Sequence, residues 1–227
     1  MSAAKEPQLP IEFLTKIISH LPIKDCGSTW LNCRPVSRTW KSATEEVFIR
    51  RHVPKLCVHF DLGWGPLRRA RQSLLQLEFV FHSLSPDRNR VVMRDPTAPG
   101  HPIWLPVAKR RWANTMADYP THGDYTCDQR IFHPAHIVSL RRMANDVELP
   151  GLEEYDAESL TLSFEWAKLL SMYFGEEAYT EKLLEADPVM DRSKWPKGPI
   201  WDPELLIKTA MGFFEKTEKA KERLRSG

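Results

Sequence analysis

Cys127, His133 and His136, with His122 nearby, are the residues whose types come closest to a reactive or metal-binding set. Thiolate and imidazole are the ligands that zinc prefers. Structural zinc sites, however, bring two pairs of closely spaced ligands together, and no second close pair accompanies these residues. A Cys127–His133 couple has the residue types of a nucleophile and its base, but nothing around it suggests an activated thiolate or an oxyanion site. The chain has no GxSxG elbow, no phosphate-binding loop and no dinucleotide-type GxGxxG. The expectation is loop histidines beside a buried cysteine, with no catalytic residue, no metal ligand and no cofactor. Gly63-Trp64-Gly65-Pro66 reads as a strand-ending turn whose tryptophan covers the core.

Composition narrows the remaining classes. The 227 residues are 42% hydrophobic and 27% charged, enough for a real core in one medium domain or a small module joined to a larger one. The net charge of +2 hides an uneven distribution: the chain up to Trp112 carries an excess of positive charge, and the remainder an excess of negative charge. Arg50-Arg51, Arg68-Arg69-Arg71 and Lys109-Arg110-Arg111 carry much of the positive excess. Such short, dispersed runs fit charge complementarity within one fold better than a nucleic-acid surface. Cys26, Cys33, Cys57 and Cys127 form no CxxC pair. No N-terminal signal core and no membrane-spanning apolar stretch is visible. The expectation is a cytoplasmic or nuclear protein with reduced thiols.

The elements follow from periodicity. Leu9-Pro10 opens a first helix, with the proline at its first position, Glu12 in the first turn, and Leu14, Ile17, Ile18 and Leu21 recurring at helical spacing. Pro22 ends it. A second short helix covers 28–34. Arg34 precedes a proline and is biased away from helical geometry. Ser37 then caps a third helix over 38–50. Beyond Pro54 the period changes to two: 56–60 and 75–81 read as strands, with a turn at 85–89 and a returning strand at 91–93. Ile103-Trp104-Leu105 reads as another short strand. Helices are expected over 137–144 and 157–174, the latter capped by Asp156, and from Asp202-Pro203 through Phe214. The whole is α+β: three N-terminal helices (1–54), then a mixed domain (55–227) with a small antiparallel sheet and several helices.

One constellation is more specific. The chain has Leu9-Pro10-Ile11-Glu12, then Phe13, Leu14, Ile17, Ile18 and Leu21-Pro22, then Val36-Ser37-Arg38-Thr39-Trp40. Over 8–51 this resembles the F-box, and the phrase from Leu31 to Trp40 is close to one found in fungal members, which suggests a fungal origin. Two departures stand out. The stretch between Pro22 and Val36 is about four residues longer than the usual pattern, and Cys26 stands where a leucine often follows the acidic residue.

The resemblance implies a non-catalytic substrate receptor of an SCF-type cullin–RING ubiquitin ligase. Its N-terminal helices would bind a Skp-type adaptor and, through it, the cullin and RING subunits. Its C-terminal part would present an unidentified protein target. The contact role carries over to Leu9, Pro10, Phe13, Leu14, Ile17, Leu21, Val36 and Trp40. Small helical modules that cannot close their own core leave apolar patches of this kind, and tryptophan is a favoured anchor in them. The arginines of the Leu31–Lys41 stretch would form the polar rim. Two other readings stay open: an interaction protein that pairs with the adaptor alone, and a nucleic-acid-associated protein using the basic half.

Overall fold

Proline, then helix, opens the described part of the chain. The computed structural model describes residues 9–65, 73–96, 105–117, 119, 136–141, 143–152 and 154–186. The first helix, α1, spans Ile11–His20, one residue later than expected, so Pro10 is its cap rather than its first residue. The Pro10 carbonyl accepts from the Phe13 and Leu14 amides at 3.1 and 3.3 Å. A single 3-10 turn, Ile23–Asp25, occupies part of the lengthened connection. Helix α2 follows at Cys26–Cys33 and helix α3 at Arg38–Arg51. Ser37 caps α3 as expected, its hydroxyl accepting from the Trp40 amide at 3.3 Å.

Arg34 corrects one expectation. It keeps helical angles (φ −61°, ψ −39°) although a proline follows. That conformation is disfavoured before proline. Here the Arg34 side chain is held on three sides: by Glu45 at 2.8 Å, by the Ser171 hydroxyl at 3.3 Å, and by the Trp30 ring beneath its guanidinium. Arg34 is therefore an internal tie and not part of a polar rim.

Seven strands follow among the described residues: β1 Leu56–Gly65, β2 Ser73–Leu84, β3 Arg90–Arg94, β4 His136–Leu140, β5 Met143–Asn145, β6 Glu154–Asp156 and β7 Thr161–Glu165. They form one sheet in the order β5-β4-β1-β2-β3-β7-β6, with every pair antiparallel. Helix α4 is Leu105–Ala117 and helix α5 is Trp166–Ala186. The α+β class stands, with a sheet larger than the sequence suggested.

Three local readings are corrected. The helix expected over 137–144 is the β4–β5 hairpin, where His136, Val138 and Leu140 alternate inward and Arg141 turns the chain at φ 62°. Asp156 does not cap a helix. Its carboxylate takes the Glu158 amide at 2.8 Å and the Ser159 hydroxyl at 2.6 Å in a turn that leads into β7. The same side-chain chemistry serves both motifs, which is why the two are confused. Leu105 opens α4 instead of ending a strand. The expectations for Cys127, His122 and His133, for Arg68–Arg71, and for the loop and helix over 195–214 lie outside the described residues.

One face of the sheet is apolar. Val58, Phe60, Leu77, Phe79, Val91, Met93, Val138, Leu162 and Phe164 are buried there. Helix α4 covers part of it through Ala108, Trp112 and Met116, with Trp112 against Phe60 and Phe79. Helix α5 adds Trp166, Leu169, Leu170, Tyr173 and Phe174. The same core takes in Cys26, Trp30 and Phe48 from α2 and α3. Cys26 thus fills the apolar position at which a leucine was expected. The core does not stop where helix gives way to strand at residue 54. Helix α1 lies outboard: Leu14 and Ile18 close a small separate cluster with Ala43 and Val47 of α3.

Candidate functional site

Helix α1 is apolar on two sides. Leu14, only 2% exposed, and Ile18 point into the small cluster on α3. Phe13 and Ile17, at 61% and 48%, face solvent. Leu9, Pro10 and Leu21 are exposed at the two ends of the helix. Phe13, Ile17 and Leu21 are four residues apart in turn, a spacing that aligns side chains along one stripe. The inward pair is enough to seat the helix. The outward stripe leaves apolar surface in water, at a cost of about 25 cal/mol per Å² relative to burial.

At the start of α3, Val36 is 62% exposed. Trp40 is half-buried and packs over the Leu14–Ile18 cluster. Of the eight residues assigned a contact role, Leu9, Pro10, Phe13, Ile17, Leu21 and Val36 offer open side chains, and Trp40 offers part of its ring. Leu14 is the correction: its side chain is consumed in holding α1 to α3. Ile11 and Ile23 also expose apolar side chains and were not singled out from the sequence. Their signal was present, since each is an isoleucine beside a proline at a helix boundary, where a core role is not expected.

The electrostatics supply no reactive centre among the described residues. Burial raises the Cys26 and Cys33 thiols above the ordinary range. Burial, then the neighbouring Glu78 carboxylate, pushes Cys57 up to about 12. Each of these shifts favours the protonated thiol in the metal-free protein. Four described members of the basic runs have partners within the fold: Arg50 with Glu46 at 2.6 Å, Lys109 with Glu158 at 2.8 Å, Arg111 with the Leu62 carbonyl at 2.8 Å, and Arg51 with the Ser19 carbonyl. No described helix is long and apolar enough to cross a membrane.

The geometry defines a class first: a helical module whose outer helix presents an apolar stripe and whose inner helices are rooted in an α+β body. The family comparison then gives the module its name. Residues 7–52 match the family model of the F-box domain. The match covers a short segment of the chain and includes all eight of the assigned contact residues. F-box domains generally bind Skp-type adaptors, and the proteins that carry them are typically non-catalytic. No curated protein and no solved structure matches the chain.

Proposed function

We propose that this protein is a non-catalytic substrate receptor of an SCF-type cullin–RING ubiquitin ligase, acting in the cytoplasm or nucleus. The α1 stripe and the start of α3 dock on the Skp-type adaptor, and through it on the cullin and RING subunits. The body formed from residue 55 onward presents a protein target. The observation that carries this reading is the solvent-exposed apolar stripe Phe13-Ile17-Leu21 inside the segment that matches the F-box.

The test is binding of the full chain to purified Skp-type adaptor. The wild type should bind at micromolar concentration or tighter. A Phe13→Ala/Ile17→Ala/Val36→Ala variant should lose at least about thirty-fold, the effect of removing even one interface hot spot. Its circular dichroism should stay unchanged. A well-folded wild type that does not bind the adaptor at micromolar concentration would refute the proposal. Recovery of adaptor without cullin from cells would narrow the function to pairing with the adaptor alone.

A further inference from the structure

The sheet has a second face, opposite the one covered by α4 and α5. On β1, Cys57 and His59 are two residues apart and so point to this same side. The sheet register sets His59 beside Glu78 on β2 and Cys57 beside Ser139 on β4. Three different metal-ligand types are thus brought together by the pleat of two neighbouring strands. Their ligand atoms all lie within 4.8 Å of one another. Cys57 Sγ donates to Glu78 Oε1 at 3.3 Å. That spacing is close to the separation of two ligands on a shared tetrahedral ion with metal–ligand distances of about 2.0–2.3 Å. Spacing along the chain does not mark this set, because Glu78 lies 21 residues from Cys57.

The surroundings position the His59 ring and the backbone beneath Cys57 and Glu78. Ser139 Oγ lies 3.3 Å from His59 Nε2 and 3.4 Å from the Cys57 carbonyl oxygen, so the imidazole ring has a fixed hydrogen-bonding neighbour. The Glu78 amide donates to the buried Asp95 carboxylate at 3.1 Å, which fixes the backbone beneath the Glu78 side chain. Cys57 and His59 are half-buried and Glu78 is exposed. An ion could therefore reach the site from solvent.

We infer that Cys57, His59 and Glu78 form a zinc-binding site on the outer face of the sheet, with the fourth coordination position left to water. Thiolate, imidazole and carboxylate together match zinc better than the hard cations magnesium or calcium, which take oxygen ligands. Binding replaces the proton that Cys57 gives to Glu78: the thiol proton leaves to solvent, Sγ bonds the metal, and Glu78 Oε1 turns from hydrogen-bond acceptor to ligand. No electron is transferred. The site is separate from the α1 stripe and does not depend on the ligase reading.

The experiment uses the full chain, reduced and freed of metal with a chelator, titrated with zinc(II) and with cobalt(II) as the spectroscopic probe. The wild type should bind one equivalent, and the cobalt form should show thiolate-to-metal charge-transfer absorption. Cys57→Ser should abolish that absorption. His59→Gln and Glu78→Gln should each weaken zinc binding at least about tenfold, with circular dichroism unchanged. Cys33→Ser and Cys127→Ser should leave both readouts intact. Absence of binding by the wild type would overturn the inference, as would a charge-transfer band that survives Cys57→Ser. If Cys57→Ser does not fold, Glu78→Gln decides, because it alters only an exposed side chain: wild-type affinity in that variant overturns the site.

Discussion

His52 closes α3 with its ring stacked on Phe48, centroids 4.4 Å apart, and is 5% exposed. Burial, then the charges of Arg141 and Arg51, lowers its pKa to about 4. Its Nδ1 has no hydrogen-bond partner among the described residues. In the unfolded chain a histidine titrates near about 6.5. Between these two values the unfolded chain binds the extra proton, so acid favours unfolding. The stabilisation is complete above the unfolded value and is lost as pH falls toward the folded one, by at most about 3 kcal/mol. His52→Phe keeps the stack and removes the titrating nitrogen. Urea denaturation at pH 7 and pH 5 should show a clearly smaller loss of stability for the variant; equal losses in the two proteins would reject this account. Ser37 makes a second residue-level case. Its hydroxyl satisfies one of the four free amides at the start of α3. Ser37→Ala should cost about 1 kcal/mol in the same assay, and Ser37→Asp should retain most of the stability.

Helix α1 shows what one element can do with two apolar sides. Leu14→Ala empties a closed cluster of Ile18, Ala43 and Val47 and should cost about 2–5 kcal/mol. Phe13→Ala, one residue away, should stay within about 0.5 kcal/mol of wild type, because the side chain is 61% exposed. Thermal denaturation of the two single variants checks the contrast. The converse ranking would mean that Phe13 packs inward and that the docking stripe is misplaced. Periodicity exposed α1 and its ends but not this division, since Leu14, Ile17, Ile18 and Leu21 recur together and only the position of α3 decides which of them are covered. The same limit explains the misread strands. Val138 and Leu140 sit in a run too short to separate helix from strand by period, and β4 forms because β1 offers it a ladder from Leu56 to Phe60. Pairing across the chain also explains why the Cys57–His59–Glu78 set was invisible while the Val36–Trp40 motif was plain: one depends on strand register, the other on consecutive residues.

The whole molecule is organised by the depth of its helical block. Trp30 is 1% exposed, and its indole nitrogen donates to the Ser171 hydroxyl at 3.0 Å. Its ring meets Phe48 and Trp166 at centroid distances of 4.7 and 5.8 Å. Phe48 in turn meets Phe174 edge-on at 6.2 Å. Gly27 permits the approach of α2 to α5, for a Cβ there would come within 3.1 Å of the Phe174 ring. These contacts join α2 and α3 to the far end of the described chain, whereas α1 touches mainly α3. Two consequences follow. A fragment of residues 1–54 would leave Trp30 and Phe48 without the partners that bury them, so it should lack a cooperative unfolding transition on its own. The full chain should unfold in a single step, with helical and aromatic signals changing together. Trp30→Ala should lower stability by about 3–5 kcal/mol. Its effect should also reach the sheet, seen as faster amide exchange in β1 and β2, because both draw on the same core. Slow, wild-type exchange in those strands would mean that the helices and the sheet fold independently. Adaptor binding separates the two kinds of surface. Variants of the α1 stripe should lose binding at full stability, while Trp30→Ala should lose stability first, with binding falling only as the folded population does.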